Sequence, residues 1–143
     1  MTLDKFTIKA QEAVQEAVNT AQRNGQQTIE PVHLLAGVMN KAKDVVNFLF
    51  QKLGVNGQQI DTLVQTELQH LPRVTGGEPY LSGDTNRVLL KAQDYAQKLG
   101  DEFVSCEPIL LALLTDGATA GRILKDAGIT EKDLRAAIQA LRQ

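Results

Sequence analysis

Residues 17–34, AVNTAQRNGQQTIEPVHL, and residues 92–111, AQDYAQKLGDEFVSCEPILL, are two copies of one stretch. Ala17, Ala21, Gln22, Gly25, Glu30, Pro31 and Leu34 fall on Ala92, Ala96, Gln97, Gly100, Glu107, Pro108 and Leu111, and the second copy holds two more residues between its glycine and its glutamate. Working outward, Gly54 meets Gly128 and Gln65 meets Gln139, so that residues 10–65 lie over residues 85–139. An internal duplication of this length decides the architecture before any single element does. The matched positions include glycines that stop helices and a Glu-Pro pair that starts one, which makes the repeat a structural unit.

Each copy reads as four helices. Thr7 is placed to cap a first helix running to about Asn24, with Ala10, Ala13, Val14, Ala17, Val18 and Ala21 on one face and Gly25 ending it. Pro31 opens a second helix, since proline has no N–H to leave unpaired in a first turn. A third runs from about Asp44 to Leu53 and stops at Gly54; a fourth, capped by Asn56, turns Ile60, Leu63, Val64 and Leu68 inward and ends before Pro72. Residues 72–83 carry two prolines and three glycines without helical periodicity, the signature of a linker. From Asp84 the pattern repeats: a fifth helix to Leu99, a sixth opened by Pro108, a seventh ending at Gly128 and an eighth capped by Thr130, with Asp133 in the place of the usual capping-box Glu or Gln. No strand of any length is expected, beyond a brief extension over residues 102–105. The expected fold is all-α, eight helices as two pseudo-symmetric four-helix repeats packed into one globular domain: repeat one over 7–71, the linker over 72–83, repeat two over 84–142.

Composition bounds the function. The chain of 143 residues is long enough to bury a core, whereas one repeat alone would be marginal, so the halves are expected to pack as one body. Fifteen Lys and Arg against seventeen Asp and Glu give a net charge of -2, with no basic run to meet a phosphate backbone, and nucleic acid is not an expected partner. No apolar run approaches a membrane span and the polar beginning lacks the apolar core of a secretory signal, which points to a soluble cytosolic protein with no membrane partner. The single cysteine excludes an internal disulfide. Cys106 aligns with Ile29 and reads as a small buried hydrophobe rather than a nucleophile. His33 and His70 lie on different helices with no further ligand at zinc spacing, and Gly76-Gly77 leads into no phosphate-binding loop. No catalytic residue, metal or cofactor is expected in this chain, and no ATPase motif.

Comparison of the copies singles out where function sits, because a position serving only the fold should look alike in both. Leu90, nearly opposite the buried face of its helix, answers polar Gln15. Leu110 and Leu114 answer His33 and Gly37, so the sixth helix is apolar all round. Two explanations stand: the second repeat lies more centrally, or it offers a groove for extended or unfolded polypeptide. The loop of residues 100–108 sets carboxylates beside the apolar pair Phe103-Val104. Glu107 repeats Glu30 at a helix start, where its charge suits the dipole; Asp101 has no acidic counterpart and is the better functional candidate. Acid–base chemistry would need a histidine, nucleophile or metal that the loop lacks.

The opening residues 3–7 (LDKFT) and 9–13 (KAQEA), residues 29–35 (IEPVHLL), 71–74 (LPRV) and 100–105 (GDEFVS) resemble the Clp N-terminal domain, the double Clp repeat, over essentially the whole chain. The Glu-Pro-x-His-Leu-Leu and Leu-Pro-Arg-Val forms resemble members that belong to protein disaggregases more than those that feed a protease. The resemblance implies a mobile recognition domain of a larger hexameric AAA+ machine, with ATP and Mg held by modules absent here and the isolated domain itself monomeric. It implies unfolded or aggregated polypeptides as partners, with a co-chaperone or adaptor as a further one. Carried onto this sequence, the engaging residues are Thr7, Asp101 and Glu107, with an apolar groove near Leu89, Pro108 and Ile109; Pro108 stands where many members carry histidine. On these readings Leu89, Leu90 and Ile109 offer apolar surface to a client while Asp101 and Glu107 orient its polar or basic groups. Thr7 has a second reading as a helix cap alone. The rival to client capture is docking of a folded adaptor, as in the relatives that feed a protease.

Overall fold

The computed structural model describes residues 2–143, and they fold into eight helices and two strands of two residues each. In chain order these are α1 (Ile8–Arg23), β1 (Thr28–Ile29), α2 (Pro31–Lys41), α3 (Lys43–Leu53), α4 (Gly57–His70), β2 (Tyr80–Leu81), α5 (Gly83–Lys98), α6 (Cys106–Asp116), α7 (Thr119–Asp126) and α8 (Glu131–Leu141). The helix ends are written in the sequence. Thr7 Oγ1 accepts the Ala10 N–H at 3.1 Å, Asn56 Oδ1 accepts two first-turn N–H groups, and Thr130 Oγ1 accepts from Asp133. Gly54 closes α3 in the left-handed conformation, φ 70°, which a side chain would strain.

Two boundaries move. α5 begins at Gly83 and is capped by Ser82, whose Oγ accepts the Thr85 N–H at 3.0 Å, rather than beginning at Asp84. In the register that puts Ala92 on Ala17, Ser82 answers Thr7, so the two copies start with the same device. α6 begins two residues before Pro108, with Ser105 preceding it; the proline is still inside the first turn, where its missing N–H leaves no bond unmade. Thr7→Ala and Ser82→Ala are each expected to lower the unfolding free energy by about 1 kcal/mol in urea titrations. A Thr7→Ala loss well above that of Ser82→Ala would show that Thr7 does more than cap.

The halves interlock through short backbone pairings that cross between copies. The segment before α1 meets the segment before α6: Val104 N–H donates to Lys5 O at 2.7 Å and Thr7 N–H to Val104 O at 2.9 Å, a parallel bridge of Phe6 with Val104. The mirror event joins the segment before α5 to the one before α2, with β2 parallel to β1; Tyr80 N–H donates to Gln27 O and Ser82 N–H to Ile29 O. The helices repeat the exchange. α1 packs on α2 and α5 on α6 within a copy, while α3 packs against α8 and α4 against α7 across copies. Leu35, Leu49 and Ile60 of the first copy and Leu89, Leu111 and Ile138 of the second belong to one buried cluster.

At the centre lies α6. Cys106 and every residue from Pro108 to Leu114 are buried, so its all-round apolarity is that of a helix enclosed on all sides. The more central position of repeat two explains the apolar excess there. In α4 the inward residues are Ile60, Val64 and Leu68; Leu63, expected inward, is 50% exposed because the buried stripe of this helix is only one residue wide per turn.

Candidate functional site

Asp101 follows Gly100, which ends α5 with φ 78°, and the Asp101 N–H donates back to Ala96 O at 2.8 Å, fixing the loop as it leaves the helix. Glu107 stands in the first turn of α6, where four N–H groups lack helical partners and negative charge is favoured. The two carboxylates are brought to one guanidinium, that of Arg142 at the end of α8. Arg142 Nη1 and Nη2 donate to Asp101 Oδ1 and Oδ2 at 2.8 and 2.9 Å, a two-pronged pair. Nη2 and Nε reach Glu107 Oε1 at 3.0 and 3.3 Å, and Nη2 also meets Ser105 Oγ at 3.4 Å. The pKa of Arg142 is raised: partial burial pulls it down, and the hydrogen bonds to Asp101 and Glu107 outweigh that. The Arg142, Asp101 and Glu107 side chains are 30, 18 and 13% exposed, so the group is a rim feature rather than a buried ion pair.

Thr7 joins this edge through the Phe6–Val104 bridge, its N–H donating to Val104 O, one residue before Ser105. Thr7, Asp101 and Glu107 therefore share a rim. The apolar residues expected beside them divide. Leu89 and Ile109 are 0% exposed and Pro108 is buried, so these three present no surface; each lies on the inner side of α5 or α6. That corrects the expectation that Leu89 and Ile109 form an open apolar face. Leu90 is 56% exposed on the outer face of α5 and takes no part in the Arg142 contacts. Beside the Phe6–Val104 bridge stand two exposed hydrophobes that the sequence pattern does not single out, Ile8 at 77% and Phe103 at 46%. The pair Phe103-Val104 carried half of that signal, since Val104 pairs and is buried while Phe103 is left outside. An open groove of about 760 Å³ lies in repeat one instead, bordered by Glu16, Arg23, Met39, Phe50, Asp61 and Gln65.

The remaining reactive side chains are occupied structurally. Cys106 is buried and burial, with Glu107 beside it, pushes its thiol up to about 12, far from a thiolate nucleophile. His33 is fully enclosed: its Nδ1 accepts the Glu30 N–H at 2.9 Å, so its proton sits on Nε2, 2.7 Å from Gln26 Oε1. Gln26 in turn donates through Nε2 to Leu68 O at 2.6 Å. Burial lowers the His33 pKa to about 4. No group of three or more metal-ligating side chains occurs among the described residues, and no helix among them is long and apolar enough to cross a membrane.

Residues 5–127 match the model of the Clp repeat (R) N-terminal domain. The chain belongs to the Clp N-terminal domain family. Over its whole length it is 59% identical to the chaperone protein ClpB of Bacteroides thetaiotaomicron and 49% identical to that of Porphyromonas gingivalis. The chain spans only 17% of the length of each of these relatives. The fold is likewise that of solved members: the Hsp104 N-terminal domain from Candida albicans superposes with a TM-score of 0.84 at 25% identity, covering 97% of this chain and 92% of that one. The N-terminal domain of ClpD from Arabidopsis thaliana superposes with 0.73 at 25% identity, covering 100% and 98%. What matches is a Clp repeat domain and not an ATPase domain.

Proposed function

We propose that this Clp domain recognises unfolded or aggregated polypeptide for an ATP-driven protein disaggregase and passes it to AAA+ modules outside the chain. The observation that carries the reading is the 59% identity, along the entire chain, to a chaperone ClpB. The rim geometry agrees with it. Exposed Ile8 and Phe103 offer apolar contact there, with Leu90 apart from them on the outer face of α5, and Asp101 and Glu107 offer acceptors for a client's amides or basic side chains. Such contact is weak by construction: burying about 200 Å² of apolar surface gives roughly 5 kcal/mol before ordering and association are subtracted. Six domains on one hexameric ring would raise the effective concentration and recover avidity while each contact still releases its client. ATP and Mg belong to the AAA+ modules in this reading, and the setting is the cytoplasm.

The test is binding of the chain to a permanently unfolded, fluorescently labelled protein. Leu90→Gln and Asp101→Ala, once shown to keep the helical melting transition, are each expected to weaken binding by about threefold to tenfold, or ~0.7–1.4 kcal/mol. Unchanged binding in both variants would remove Leu90 and Asp101 from the client site. Docking of a folded adaptor is the second reading, supported by the likeness to ClpD, a caseinolytic protease associated chaperone. It requires one folded protein to saturate the domain at a single site while unfolded proteins do not compete.

A further inference from the structure

The two copies close the same junction with opposite chemistry. In the register that sets Gly100 on Gly25, Asp101 answers Gln26; Glu107 answers Glu30, and Leu110 answers His33. Setting Gln139 on Gln65 puts Arg142 on Leu68. Each junction therefore joins the loop after a copy's first helix, the start of its second and the end of its fourth. Copy one closes it with neutral, enclosed groups: Gln26 to Leu68 O and to His33, and His33 to the Glu30 N–H. Opening it would strand buried donors and acceptors without water. Copy two closes it with Arg142 on Asp101, Glu107 and Ser105, at the rim.

We infer that Arg142 is a latch: it occupies in cis both oxygens of Asp101 and one of Glu107 in the proposed client site, and a client group that is to bridge the two carboxylates does so by displacing it. The inference rests on the client-recognition reading above. The Asp101 carboxylate accepts from Arg142 through both oxygens and Glu107 through Oε1, so an incoming ammonium group that pairs with both acids competes with the guanidinium already pairing with both. Release is possible here and not in copy one. A freed guanidinium at the rim passes into water and remains solvated, so release strands no buried charge, and its cost is that of the two-pronged pair with Asp101. Arg142 thus sets the threshold for capture. A client with several basic or amide groups near an apolar segment opens the latch, and a folded surface presenting one isolated group does not.

The experiment uses the 143-residue chain, an unstructured fluorescein-labelled peptide of Leu, Ser and Lys, and a second peptide with each Lys replaced by Gln. Arg142→Gln is expected to bind the Lys peptide about threefold to tenfold more tightly than wild type, as for a site open roughly a tenth to a third of the time. The gain should be smaller for the Gln peptide and vanish when Asp101→Asn is added. In the wild-type chain, the Arg142 Nε–H resonance should move on saturation with the Lys peptide, a reading that needs no variant to fold. Unchanged or weaker binding by Arg142→Gln, with a stationary Nε–H resonance and wild-type binding that Asp101→Asn still weakens, overturns the latch and leaves the client site standing. Absence of binding to either peptide by every variant overturns both.

Discussion

Gly37→Ala is expected to lower the melting temperature by about 10 °C, the counterpart of a loss near 3 kcal/mol for a domain of this size. Gly37 sits in α2 where it crosses α1, and a Cβ built there would lie 2.2 Å from the Ala13 carbonyl oxygen and 3.2 Å from its carbon. The obstacle is backbone, so no side chain can rotate away; the two helices must separate, and the contacts of Ala10, Ala13 and Ala17 loosen together. Alanine's better helix propensity recovers only about 1 kcal/mol. Gly83→Ala is the control, since a Cβ there meets nothing within 4 Å, and it should leave the melting temperature unchanged or slightly raised. A Gly37→Ala protein that melts with wild type would mean that α1 and α2 are not in close contact at this point. The second copy carries Leu114 at the equivalent position, 1% exposed, so the close approach that requires glycine belongs to the first copy alone.

Acid should destabilise the domain through His33. The unfolded chain takes up a proton at the ordinary histidine pKa of 6.5, whereas the native site resists until about pH 4. Between those values the unfolded state binds more protons, so stability is complete above 6.5 and falls as the pH drops towards 4, by up to ~1.4 kcal/mol per unit and about 3 kcal/mol in all. The geometry supplies a second reason: protonation of Nδ1 would point a donor at the Glu30 N–H. His33→Gln keeps an acceptor for that N–H and a donor for Gln26 without a titrating proton. Urea titrations at pH 7, 5.5 and 4.5 should therefore show wild type losing about 2–3 kcal/mol more than His33→Gln across the range. Parallel losses in the two proteins would sink this account.

The architecture was legible because duplication doubles every signal. Starts and stops that are ambiguous singly become firm when Gly25, the Glu30-Pro31 pair and Gly54 find partners at matching positions. The same register held the true cap of α5 at Ser82, but Asp84, a residue type as suited to capping, lay closer to the periodic pattern. Leu63 misled because Ile60 and Val64 flank it and a helical wheel does not say how wide the buried stripe is. The apolar excess of α6 had two meanings, groove or centre, and a one-dimensional pattern does not distinguish them: both need hydrophobes on every face. At the rim, Asp101 stood out by differing from Gln26. Arg142 did not, being 41 residues away on another helix, where only the register with Leu68 would have marked it.

The crossed pairing of Phe6 with Val104 and of β2 with β1 has a consequence for how such a molecule can diversify. Two separate copies of one repeat, exchanging these segments about a two-fold axis, would be a homodimer, and every substitution in it would appear twice. Its junctions would both be sealed or both be charged. Joined in one chain, the copies are free of that identity: one junction can be spent on cohesion, while its twin, held in place by the first, is released to gamble on contact with the outside.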